Sequence, residues 1–187
     1  SSLNGTTNHL TIANTGNVGI GVSPSANSSY MVALQLGEQA NLYSHADGVG
    51  AGSATYLSAN ITHNSGFKYI NADAGSQYTQ QSGSHQWSSF ASGSAGGAAT
   101  ENTRMTLTSG GLLLIGTTST TPAFGTSSGV SISPVGESMI SGGNNTTLFL
   151  NRTSGSGSIM DFRLGGSQVG VIGTGNGGNL YIGSGDA

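Results

Sequence analysis

The sequence predicts an all-β protein, in which short strands alternate with tight turns and no substantial helix forms. Glycine (33 residues), serine (30), threonine (20) and asparagine (15) make up just over half of the 187-residue chain. These residue types are poor helix formers, and several of them are common in turns. Apolar residues alternate with polar ones in short runs bounded by Gly, Asn or Ser, which is the pattern of half-buried strands.

Two hairpins and one extended segment are predicted in the first half of the chain. Apolar residues alternate with polar ones over 10–12 and 18–20, and a Thr-Gly pair lies between the two runs. Residues 31–42 are the one contender for a helix, but the alternation of their apolar residues favours a strand. A second hairpin is predicted from 77–81 and 85–90, because a Ser-Gly turn joins them.

The C-terminal part of the chain predicts a meander of four strands over residues 146–183. Its first strand is expected at 148–150. Met160, Phe162 and Leu164 then share one face of the second strand, because successive side chains of a strand point to opposite sides. Gly-rich turns separate the remaining strands.

An internal repeat joins the two halves of the chain. Residues 10–21 (LTIANTGNVGIG) align without a gap to residues 105–116 (MTLTSGGLLLIG), and a proline follows each copy, at Pro24 and Pro122. A weaker echo lies at 179–183. We interpret the repeat as a β-hairpin module that ends in a Gly/Pro corner.

Four segments are expected from these patterns. Residues 1–27 and 101–123 are predicted to be shaft-like β-hairpin repeats, residues 28–100 an aromatic-rich β-domain, and residues 124–187 a C-terminal β-meander.

The aromatic-rich segment holds the candidate binding residues. Aromatic rings stack on the apolar face of a sugar, so a carbohydrate contact is predicted for five side chains: Trp87, Tyr56, Tyr69, Tyr78 and His85. The alternative, that these rings fill the core of the segment, is favoured for Trp87 because it lies in an alternating strand.

Charge and composition argue against several other functions. The chain carries four Lys or Arg and seven Asp or Glu, a net charge of −3, and the four cations are scattered, so a nucleic-acid partner is not expected. No apolar run is long enough for membrane insertion. The carboxylates form no pair at informative spacing, and we expect no enzyme, no cofactor and no metal; His45 and Asp47 are the only local metal-ligand pairing.

The apolar residues are too thinly spread to give one chain a core of ordinary size. A single sheet built from them would have one half-apolar face and open edges, which natural proteins cover or close. We therefore expect an obligate homo-oligomer, with several copies wrapped around a common axis.

Seven short motifs support a family resemblance, and they lie at 16–24 (GNVGIGVSP), 66–70 (GFKYI), 81–87 (QSGSHQW), 103–118, 159–163, 169–173 and 179–186. In this order they resemble the trimeric tail-fibre and related appendage proteins of tailed bacteriophages. The resemblance implies an elongated homotrimeric fibre of the β-prism or interleaved-sheet kind, located in the virion and extracellular.

The same resemblance implies a structural role in host-surface attachment. The implied partners are other copies of the chain, other virion tail proteins, and a host cell-surface glycan or outer-membrane receptor. Two alternatives of other classes remain open: a secreted bacterial adhesin, and a carbohydrate-binding or depolymerising β-protein.

Overall fold

A computed structural model describes residues 9–45, 54–175 and 178–184 of the chain. The described part is all-β, as predicted, and its one helical element is a single 3₁₀ turn at Pro122–Phe124. Within the described residues the sixteen strands, numbered β1 to β16 in chain order, are Leu10–Ile12, Val18–Ile20, Met31–Leu36, Ala40–His45, Ala54–Ala59, Ile61–His63, Phe67–Tyr69, Gly75–Gln81, Ser84–Phe90, Asn102–Leu107, Leu113–Ile115, Gly129–Ile132, Ser138–Ser141, Gly157–Leu164, Ser167–Thr174 and Leu180–Ser184.

The chain divides into two compact units, residues 1–143 and 144–187. The first unit contains one eleven-stranded sheet in the order β1-β2-β3-β4-β5-β8-β9-β10-β11-β12-β13. Neighbouring strands are antiparallel except β2 and β3, which are parallel. Both hairpin repeats and most of the aromatic-rich segment therefore belong to the same sheet, and β12 and β13 extend it.

One face of this sheet is covered by the small β6–β7 hairpin, and we call it the covered face. Ile61 and Tyr69 of the hairpin are buried against Phe90 of the sheet. Beside them, Tyr43 and Met31 form a second buried cluster. The aromatic-rich segment thus has a core of its own, which lies between the hairpin and the sheet.

Polar side chains also lie in the covered face, and hydrogen bonds satisfy most of their polar groups. Gln35 accepts from the Ser25 amide at 2.7 Å, and Asn17 accepts from the Ala33 amide at 3.0 Å. Asn41 donates to the Ile61 carbonyl at 3.4 Å. Burial of such groups is tolerated only when they find partners, so these bonds specify how the connecting segments lie on the sheet.

The opposite face carries an unbroken row of apolar residues, one from each of the eleven strands. Each member lies directly opposite the next in the strand register, and the row reads Ile12, Val18, Leu34, Leu42, Leu57, Tyr78, Trp87, Met105, Ile115, Val130 and Ile140. We call this set the apolar row. None of the eleven side chains is buried, and Ile12 and Leu57 are 70% and 57% exposed.

The structure contains more copies of the hairpin module than the sequence repeat indicates. The units 10–21, 105–116, 130–141 and 172–183 share one turn, in which the seventh residue is a glycine with positive φ: 89°, 82°, 92° and 88°. In each, the amide of this glycine donates to the carbonyl of the fourth residue, at 3.0, 2.9, 3.0 and 3.1 Å. The echo at 179–183 is therefore the second half of a full hairpin unit.

The second unit is a three-stranded antiparallel sheet, β14-β15-β16. The prediction of a fourth strand at 148–150 was wrong, because Leu148, Phe149 and Leu150 are exposed and pair with no strand in the described chain. Alternation without a partner strand does not make a sheet.

On β14, Asp161 and Arg163 form an ion pair at 2.8 Å, which lowers the pKa of the Asp161 carboxyl.

Candidate functional site

Three of the five predicted carbohydrate-contact residues form one cluster at the centre of the apolar row: Tyr78 and Trp87 belong to the row, and His85 lies next to it on the same face. The ring of Tyr78 lies 5.2 Å from that of Trp87 and stacks on His85 at 5.9 Å, measured between ring centroids. The Tyr78 hydroxyl is also hydrogen-bonded to Nδ1 of His85. Register explains the cluster, because Tyr78 and Trp87 are direct cross-strand partners on β8 and β9.

The other two predicted residues lie on the covered face. Tyr56 stacks on Tyr43 with ring centroids 4.7 Å apart, and burial, followed by the charge of Glu101, raises its pKa. Tyr69 is buried, and its hydroxyl donates to the Ala91 carbonyl. The five side chains therefore do not share one surface, and carbohydrate contact by them stays a prediction.

A second aromatic cluster lies near the end of β4. Tyr30 stacks on His45 with centroids 5.5 Å apart and meets His63 edge-on at 6.0 Å. His63 also packs against the ring of Phe67 at 5.3 Å, and its Nδ1 lies 3.2 Å from the Ser28 hydroxyl. Burial, with a smaller contribution from His45, lowers the pKa of the His63 imidazole.

A polar groove of about 300 Å³ lies on the outer side of the β6–β7 hairpin, and sequence reasoning did not find it. We call it the outer groove. Its lining residues are Ser25, Ala26, Thr62, Asn64, Lys68, Tyr69, Ile70 and Gly96. The available signal was the alternation of Phe67, Lys68 and Tyr69, which places the chain's one lysine on the side opposite to the buried rings.

Metal-ligating side chains do not cluster in the described residues. These residues contain no group of three or more His, Cys, Asp or Glu side chains that could hold a metal ion. Of the His45–Asp47 pairing, Asp47 lies outside the described residues. None of the described residues belongs to a helix that could span a membrane.

Compared with protein-family models, with curated proteins and with solved structures, the chain matches none.

Proposed function

We propose that the chain is the subunit of a homotrimeric β-fibre, in which the apolar rows of three copies pack together around a common axis. The observation that carries this proposal is the apolar row itself. Its eleven apolar side chains lie directly opposite one another on successive strands, and none of them is buried by the rest of the described chain. Exposed apolar patches of this extent mark interaction surfaces.

The direction of the row supports a fibre. Neighbouring strands lie about 4.8 Å apart, so a row across eleven strands extends for roughly 50 Å at right angles to the strands. The strands themselves are short, at three to seven residues. A long, narrow apolar strip of this kind suits packing along an axis.

Second copies are better occupants of the row than an unrelated partner. Each subunit offers the same strip, and a symmetric assembly brings like strips together. The eleven side chains of the row carry no charge, so packing of copies on the row itself buries no ionised group. Covering one large apolar side chain contributes about 1.5–3 kcal/mol, and the row repeats that contribution strand after strand.

The trimeric state and the place in a virion rest on the resemblance to phage tail fibres. On that basis we propose a structural component of a tail fibre or related virion appendage, which attaches to the host surface and is not an enzyme. The repeated hairpin unit supports an elongated structural role, because the copies at 10–21, 105–116 and 130–141 each add two residues to the apolar row. A secreted adhesin stalk would have the same architecture.

Immunogold labelling tests the proposed place directly. Antibodies raised against the purified chain are expected to label the tails of virus particles, and their Fab fragments to block adsorption to the host. Labelling of a bacterial surface instead, with unlabelled particles, would favour the adhesin and contradict the virion proposal. Release of sugars from host polysaccharide by the purified chain would favour the depolymerising alternative.

A further inference from the structure

We propose that the outer groove binds an acidic saccharide and that Lys68 recognises its carboxylate. The strand register of the hairpin determines the direction in which the groove opens. Thr62 and Lys68 are direct cross-strand partners, so they share one side of the hairpin, whereas Ile61 and Tyr69 point the other way into the core. The groove therefore lies on the side of the hairpin away from the sheet and its apolar row.

The wall of the groove is held in place before any ligand arrives. The Thr62 hydroxyl donates to Oδ1 of Asn27 at 2.7 Å, and the Ser65 amide donates to the Ser28 hydroxyl at 2.9 Å. These bonds fasten the segment that contributes Ser25 to the hairpin. A preformed wall reduces the ordering cost of binding.

The chemistry of the groove fits an anionic, hydroxyl-rich ligand. Within the described residues, the half-buried Lys68 ammonium forms no ion pair and no hydrogen bond, and the side chains of Asn64 and Ser25 also have no partner. An unpaired ammonium attracts a carboxylate, while the amide and hydroxyl pair with sugar hydroxyls. Ile70 and Ala26 add apolar contact for the carbon face of a sugar ring.

The volume agrees with a small ligand. At about 300 Å³ the groove lies at the lower end of the range for small-molecule pockets. A single anion such as phosphate would use the ammonium alone, whereas a uronic acid unit also uses the amide, the hydroxyl and the apolar contacts. We therefore favour a saccharide over a free anion.

Calorimetric titration of the full chain tests the proposal with three probes: a disaccharide containing glucuronic acid, its glucose-containing analogue and inorganic phosphate. The acidic disaccharide is expected to bind most tightly. Lys68→Gln should weaken that binding by about tenfold or more, because the charge-assisted hydrogen bond to the carboxylate is lost. Ala26→Trp should remove it by filling the exposed edge of the groove without changing charge.

Arg104→Gln is the matched control, because it removes one exposed positive charge outside the groove and should leave binding unchanged. An equal loss of disaccharide binding in Lys68→Gln and Arg104→Gln would show that the overall positive charge attracts the ligand, and this result would overturn the proposal. So would full binding by Lys68→Gln, phosphate binding as tight as the disaccharide's, or no binding of any probe. The groove lies within one chain, so a variant that stays monomeric should still bind; this result does not depend on the fibre proposal.

Discussion

Trp87 and Met105 lie directly opposite each other on β9 and β10, in the middle of the apolar row. The pair joins the aromatic-rich segment to the second hairpin repeat, two parts of the chain with different compositions. Trp87, 37% exposed, is the chain's only tryptophan. If copies of the chain pack on the row, this pair lies inside their shared core, and Trp87 then reports on assembly.

Leu57→Asp is expected to break the assembly. The substitution places a carboxylate in the apolar row, where packing of copies would withdraw it from water, so association should weaken about a hundredfold or more. Sedimentation velocity checks the mass, and Trp87 emission should shift to longer wavelength in the variant. Gln39→Asp, at an exposed position between β3 and β4, is the control and should assemble normally. An assembled Leu57→Asp variant would show that the row is not the contact.

Gly136→Ala is expected to lower the free energy of unfolding by about 1–2 kcal/mol, because a Cβ disfavours positive φ. Gly136 has φ 92° and open space around the position of a Cβ, so the backbone alone accounts for the cost. Gly125 also has open space but φ −136°, and Gly125→Ala should be neutral or slightly stabilising. Urea unfolding at one protein concentration compares the two variants. Equal free energies of unfolding would show that the turn of the hairpin unit does not require glycine.

Phe90→Ala is expected to destabilise the chain by about 3–5 kcal/mol, the usual cost of emptying a buried aromatic site. Phe90 is 2% exposed and packs between the hairpin and the sheet, whereas Phe124 is 82% exposed. Phe124→Ala should therefore change the unfolding free energy by less than about 0.5 kcal/mol. Thermal unfolding followed by circular dichroism makes the comparison, and similar losses would contradict a core at the covered face.

The stability of the chain should fall as the pH drops below about 6.5. Burial lowers the pKa of His63 in the folded chain, so between that lowered pKa and the ordinary value the unfolded chain binds more protons. The contribution of His63 to the free energy of unfolding is complete above its pKa in the unfolded chain. It declines as the pH falls from that value to the lower pKa of the folded chain. His63→Gln should flatten the decline between pH 7 and pH 5 in urea titrations. A wild-type profile that is already flat there would refute the burial of a neutral His63.

Strand alternation was enough to predict much of the large sheet. The predicted hairpins at 10–20 and 77–90 are confirmed, because local turn chemistry determines hairpin register. Of the extended segment predicted at 31–42, residues 31–36 form one strand, and a turn at 37–39 leads into the antiparallel strand β4. The alternation of apolar and polar residues does not predict which face of the sheet the rest of the chain covers. Gln35 and Asn41 lie buried while Leu36 and Leu42 are exposed, the reverse of the usual expectation. The proposed packing of copies on the apolar row would explain this reversal.

Other features could not be predicted for identifiable reasons. The hairpin unit at 130–141 was missed because Pro134 occupies its turn and Ser138 replaces an apolar residue. The outer groove depends on Ser25, Asn64 and Gly96, which hydrogen bonds and pairing bring together from distant parts of the chain. No spacing pattern in the sequence predicts that these three residues lie close together.

The central claim is that three copies pack on the apolar row. Light scattering of the purified chain after size-exclusion chromatography measures the assembly mass most directly. The expected mass is three times the 18.5 kDa of one chain. A mass of 18.5 kDa, with β-sheet circular dichroism and cooperative unfolding retained, would contradict it.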